Sequence, residues 1–128
     1  MKRVTGIGGI FFKSADPKRM RDWYQKHLGI NIESWGGAAF EWKNADNPEG
    51  IGTTVWNIFD ASTGYLNPSQ ASFMLNYRVD KLAPLLAALR AEGCNVDEKT
   101  DDSEYGKFGW VFDPDGNKIE LWEPPPGK

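Results

Sequence analysis

The chain has 128 residues, 40% of them hydrophobic and 26% charged, with a formal net charge of −3. That length sets one domain, or two half-domains too small to stand alone, and the acidic balance offers no basic field for nucleic acid or an anionic membrane. No apolar stretch approaches the ~20 residues that span a bilayer, no signal-peptide core follows the charged N-terminus, and the lone Cys94 fits a reducing compartment, so the expected location is cytoplasmic.

Val4–Phe12 is apolar, carries Gly6, Gly8 and Gly9, and reads as a strand. Asp16-Pro17 then opens a helix, the carboxylate capping orphan N–H groups and proline taking the first helical position. Met20, Trp23, Tyr24 and Leu28 form its expected buried stripe, and Gly29 ends it. Asn31–Trp35 and Ala38–Trp42 read as short strands around the Gly36-Gly37 turn. Lys43–Gly50 is a polar loop, and Gly52–Phe59, rich in β-branched and aromatic residues, is a strand.

Asp60–Ser72 is irregular and small-polar, and its position makes it a linker. Phe73–Val79 is the next strand. Asp80–Glu92 follows as a helix striped by Leu82, Leu85, Leu86 and Leu89, with Pro84 tolerated near its start. After Gly93, Cys94–Glu98 begins a strand and Thr100–Gly106 reads as an acidic polar loop. Phe108–Phe112 and Lys118–Trp122 pair around Asp113–Asn117, whose density of turn residues marks a hairpin rather than a calcium loop. Prolines 124 to 126 close the domain.

The two halves therefore repeat one layout. A β-α-β-β-β module over 4–59 is joined by a linker at 60–72 to a second over 73–123, within a single domain over 1–128. The expected fold class is α+β, with the modules forming a curved mixed sheet around a cavity and the helices outside.

Gly8-Gly9-Ile10-Phe11-Phe12 leading to Asp16-Pro17, then Trp23-Tyr24, Leu28-Gly29-Ile30 and Tyr77-Arg78-Val79-Asp80, form one side of a resemblance. Tyr105-Gly106 and Phe112-Asp113-Pro114-Asp115-Gly116-Asn117-Lys118-Ile119-Glu120-Leu121-Trp122 complete it. In this order, over nearly the whole chain, they resemble the vicinal oxygen chelate superfamily of glyoxalases, bleomycin- and fosfomycin-resistance proteins and extradiol dioxygenases. The resemblance implies a homodimer and a ligand cavity between paired modules. In the enzymes of that family a divalent metal is held by His, Glu or Gln. The first and third ligands come from the opening strand of each module, the second and fourth from the closing strands.

Carried over residue by residue, the fourth position is Glu120. The first falls on Gly9 or Gly8, the third near Phe73–Asn76, and the second in Gly52–Phe59, which has neither carboxylate nor imidazole. A divalent catalytic metal wants about three protein ligands, so no metal is expected in a single chain; ligands donated across a dimer interface are the remaining route. The only histidine, His27, sits in the last turn of the first helix and reads as a partly buried residue favoured by the negative helix end. No Gly-x-Ser-x-Gly elbow is present, Cys94 has no histidine near it in sequence, and Gly6–Gly9 lies inside a strand rather than at a nucleotide-binding turn.

Strand alternation turns Ile119 and Leu121 toward the helices and Glu120 and Trp122 toward the cavity. Glu120 is the candidate catalytic residue, as a proton acceptor or a hydrogen-bond anchor, against a plain solvated glutamate. Phe11, Trp56, Asn76, Arg78, Tyr105, Trp110 and Trp122 are the candidate ligand-binding residues, each with a rival role in the core. Aromatic walls with one carboxylate suit a planar or cationic small organic molecule. The expected protein binds such a molecule without a cofactor, by sequestration or by metal-independent catalysis. The alternatives are a metal-dependent lyase or dioxygenase of the same superfamily, and a non-catalytic interaction domain.

Overall fold

In a computed structural model describing residues 3–43 and 50–127, the elements follow the repeat. In chain order they are β1 (Val4–Ser14), α1 (Pro17–Leu28), β2 (Ala38–Lys43), β3 (Ile51–Asp60), β4 (Phe73–Val79), α2 (Leu82–Ala91), β5 (Asn95–Ser103), β6 (Gly106–Phe112) and β7 (Lys118–Glu123). Most of the polar loop expected over Lys43–Gly50 lies outside the described residues.

The strands form one seven-stranded sheet in the order β2-β3-β1-β4-β7-β6-β5. Each half places its closing strand parallel to its opening strand, β3 beside β1 and β7 beside β4, with the helix in the crossover. The halves meet where β1 runs antiparallel to β4, so the sheet is continuous across the join. The fold class is the one expected, an α+β mixed sheet with its helices on one face.

Alternation sorts the side chains between the faces. On the helix face, α2 buries Leu82, Leu85 and Leu86 against Val79 and Leu121, and α1 covers Ala38, Trp56 and Ile58 with Met20 and Tyr24. The opposite face has its own apolar cluster, Leu66, Met74 and Trp110, joined by Phe11, Phe59 and Phe108. Leu66 comes from the connection between the halves. That connection is a plug under the sheet as well as a tether.

Several local expectations change. Asn31–Trp35 forms no strand: Gly29 sits left-handed at φ 69° as the α1 cap, and a turn closes already at Gly36, whose N–H donates to the Glu33 carbonyl. Only Ile30, Asn31 and Ile32 lie between cap and turn, too few for a ladder, and both isoleucines pack against the helix-face cluster. In α1, Met20 and Tyr24 pack inward, whereas Trp23, His27 and Leu28 are exposed, with the His27 ring set against Trp23 rather than partly buried. The expected acidic loop over Thr100–Gly106 is mostly strand, because β5 runs on to Ser103 through backbone pairing with β6, which its outward acidic side chains do not oppose. Asp80 does not cap α2. The helix starts after Lys81, and the Leu82 N–H donates to Glu123 Oε1 at 2.8 Å, so a carboxylate from β7 supplies the acceptor.

Among the described residues no helix is long and apolar enough to cross a membrane. Because Leu66 is fully buried within the plug, Leu66→Ala is expected to lower unfolding stability by about 2–5 kcal/mol. Urea denaturation read by tryptophan fluorescence checks this; a loss below about 1 kcal/mol would show that the connection does not support the sheet.

Candidate functional site

β7 lies between β4 and β6, and the register puts Asn76 and Trp110 directly beside Glu120 on either side. All three side chains leave the sheet on the face away from the helices. A carboxylate in mid-sheet, 3% exposed, loses its water and must find donors within the protein. Asn76 Nδ2 donates to Oε1 at 2.7 Å and Trp110 Nε1 to Oε2 at 3.0 Å. The Tyr65 hydroxyl, from the connection between the halves, donates to Oε2 in a short hydrogen bond. Every donor is neutral, and a hydrogen bond to a charged acceptor is roughly twice as strong as one between neutral groups.

Tyr65 is held for this role. Burial, followed by the negative Glu120, pushes its phenol far above the ordinary 10.0, so it stays protonated and donating. Lys118 Nζ donates to the Tyr65 carbonyl at 2.7 Å, and its ammonium lies 5.3 Å from the centroids of both the Tyr65 and Trp110 rings. Burial lowers the pKa of that ammonium.

The amide of Asn76 can turn its nitrogen to Glu120 only because Gly8 has no side chain. An added Cβ there would come within 2.1 Å of Asn76 Oδ1 and 2.9 Å of the Trp122 ring. Asn76 Oδ1 is covered, and it has no hydrogen-bond partner among the described residues.

Over this floor opens a cavity of about 730 Å³. Of the sequence candidates, Phe11, Asn76, Tyr105, Glu120 and Trp122 line it. Trp122 stacks on Phe108 at 6.2 Å with planes 8° apart, and its Nε1 donates to the Tyr105 carbonyl at 2.8 Å, fixing the β5–β6 turn at the mouth. Three candidates stand elsewhere. Trp56 is on the helix face, buried against Ala38, Ile58, Phe12 and Tyr24, because the register of β3 turns Thr53 and Val55 to the cavity instead. Trp110 lies behind the carboxylate rather than in the wall. Arg78 is beneath the wall, its guanidinium 5.5 Å from the Trp42 ring centroid and 5.2 Å from that of Trp122, with Nη1 donating to the Thr53 carbonyl. Burial lowers its pKa, and its place is structural.

Sequence reasoning missed Tyr65, Phe108, Glu41 and Glu104. Phe108 was readable, since it shares a face with Trp110 two residues on. Glu41 likewise alternates with Trp42 in β2. Tyr65 sits in an aperiodic segment, and nothing local marks it. With Glu41 and Glu104 at the cavity wall and Glu120 on its floor, every ionisable side chain lining the cavity among the described residues, apart from the Tyr105 phenol, is a carboxylate.

The positions that hold a metal in the resembling enzymes do not fit one here. The first is occupied by Gly8, β3 offers Thr53 and Val55, and the third is Asn76 with its amide nitrogen turned to Glu120. The fourth, Glu120, already accepts from three protein donors. Among the described residues no group of three His, Cys, Asp or Glu side chains could hold a metal.

Removing the phenolic donor exposes the cost of the buried carboxylate. Tyr65→Phe is expected to lower stability at neutral pH by about 1.5–3 kcal/mol, seen as a lower urea midpoint at unchanged slope. The sign with pH follows from the raised phenol. The folded protein holds this proton above pH 10.0 while the unfolded chain loses it, so wild-type stability falls as pH rises past that value. Tyr65→Phe flattens that fall. Equal alkaline slopes in the two proteins would contradict the phenol–carboxylate pair.

The comparisons agree with the fold. A methylmalonyl-CoA epimerase from Mycobacterium tuberculosis is similar at 20% identity and TM-score 0.63, over 98% of this chain and 92% of that one. A methylmalonyl-CoA epimerase solved with methylmalonyl-CoA and NH4+ gives 15% identity and TM-score 0.66, over 98% of each chain. The 2,3-dioxygenase LapB from Pseudomonas sp. KL28 gives 17% identity and TM-score 0.60, over 97% of this chain and 42% of that one. These likenesses show a shared fold. No curated protein matches. The family described as the Glyoxalase/Bleomycin resistance protein/Dioxygenase superfamily matches residues 6–121, and the chain belongs to it.

Proposed function

We propose that the protein binds a small organic cation with a planar aromatic body in this cavity, anchored by Glu120 and without a divalent metal. One observation carries the reading: among the described residues the cavity combines aromatic walls with carboxylates as its only charged lining groups. Phe11 and Phe108 supply aromatic surface for stacking and cation–π contact, worth about 0.5–2 kcal/mol each, while Trp122 lines the cavity held between Phe108 and the Arg78 guanidinium. Glu120 supplies a fixed negative charge where little water competes. The same lining repels phosphates, so an acyl-CoA of the kind bound by one structural neighbour is a poor fit.

Sequestration is the lead reading, in the manner of the bleomycin-resistance side of the superfamily. A metal-independent reaction is the second, favoured by the way Tyr65, Asn76 and Trp110 orient Glu120 as a proton acceptor. The proposal includes a cytoplasmic location, matched by an exposed free Cys94. It also includes a homodimer: Ile7, Ile10 and Phe73 are exposed on the β1–β4 face between the helices, and a second copy would cover them. Light scattering of the purified protein checks the mass.

Fluorescence titration with 2-naphthylmethylammonium, neutral 2-naphthylmethanol and anionic 2-naphthoate tests the reading, since Trp35 and Trp122 line the cavity. The expected order is cation, then neutral, then anion. Glu120→Gln should weaken the cation about 10- to 100-fold and the alcohol little. Tightest binding of the anion, or no saturable binding of any of the three, overturns the proposal. A turnover lost in Glu120→Gln with affinity retained favours the catalytic form.

A further inference from the structure

Glu120 reaches the cavity with most of its accepting capacity already used. An ionised carboxylate has about four acceptor positions, two on each oxygen. Oε2 takes two, from the Tyr65 hydroxyl and Trp110 Nε1; Oε1 takes one, from Asn76 Nδ2. One acceptor position is left, and it is on Oε1.

The neighbouring amide adds none. Facing a carboxylate, Asn76 must present its NH2 group, which leaves Oδ1 turned away. That oxygen is covered over Gly8, at the place where a Cβ would stand.

We infer that the floor of the cavity recognises exactly one N–H of the bound cation. The ligand class is narrowed to tertiary ammonium ions and N-protonated heteroaromatics of the pyridine type, which present a single donor from a flat or bulky apolar body. Quaternary ammonium ions have no donor to offer, and amidinium or guanidinium ions gain nothing from their second one, because paired recognition needs both oxygens free. This inference rests on the reading above that a cation occupies the cavity, and it goes further by counting the donors that cation presents.

The test uses the wild-type protein with three cations sharing one ring system: N,N-dimethyl-2-naphthylmethylammonium (one N–H), N,N,N-trimethyl-2-naphthylmethylammonium (none) and 2-naphthamidinium (paired donors). A charge-assisted hydrogen bond predicts that the dimethyl ion binds about tenfold or more tighter than the trimethyl ion, with the amidinium no tighter than the dimethyl ion. Equal affinities for dimethyl and trimethyl ions overturn the inference while leaving the cation reading intact. An amidinium bound tenfold tighter than the dimethyl ion also overturns it, since both oxygens would then be open. Failure of all three to bind removes the cation reading, and this inference with it.

Glu120→Gln separates hydrogen bonding from bulk. Its amide oxygen keeps Tyr65 and Trp110, its nitrogen takes the place of Oε1, and the Asn76 amide rotates to accept from it. An N–H then faces the ligand, so the preference for dimethyl over trimethyl should disappear. A tenfold preference that survives in Glu120→Gln is steric, and overturns the inference.

Discussion

A carboxylate in the middle of a sheet is the constraint around which the rest of this molecule is arranged. Glu120 has no counter-ion among its hydrogen-bond partners; it is held by an amide, an indole and a phenol. Two of those donors follow from register alone, because β4 and β6 are the immediate neighbours of β7. The third requires the connection between the halves to fold under the sheet and bring Tyr65 across 55 positions of chain. Leu66, beside it in sequence, is fully buried and anchors that path. Removing any donor leaves a buried charge short of solvation, which costs more than the net worth of one hydrogen bond. The network accordingly keeps an anion fixed at the floor of the cavity.

Much of the frame was legible in the residues. The duplicated strand–helix–strand layout, the leucine stripe of α2 and the outward turn of Glu120 and Trp122 all follow from periods of 3.6 and 2. The second half reads best because its faces differ: Leu121 and Val79 on one side, Glu120 and Asn76 on the other. β3 gives no such contrast. Val55, Trp56, Ile58 and Phe59 put apolar side chains on both faces, so its parity is fixed by pairing with β1 and β2, and Trp56 goes to the helix side. Asp101 and Asp102 look like loop residues, yet their backbone completes a ladder with β6. Side-chain polarity at a sheet edge reports solvent, not the absence of a strand.

The two halves have diverged in what they give the site. The first supplies space: Gly8 leaves room for the Asn76 amide, and Phe11 forms wall. The second supplies the charge and two of its donors. Around them, Arg78 ties Trp42 of β2 to Trp122 of β7 by ring contacts on both sides of its guanidinium, which fixes the angle of the indole facing the cavity. The groups around Glu120 are hydrogen-bond donors that hold the carboxylate, not electron-pair donors that would join it in holding a metal. In the proposed reading the positive partner of Glu120 is an organic ligand rather than a metal.

The most direct measurement of that claim is the metal content of the purified protein after equilibration with zinc, nickel, manganese and iron(II), compared between wild type and Glu120→Gln. The account predicts substoichiometric metal in both, with no difference between them. One equivalent of any of these ions in the wild type, lost in Glu120→Gln, would contradict it.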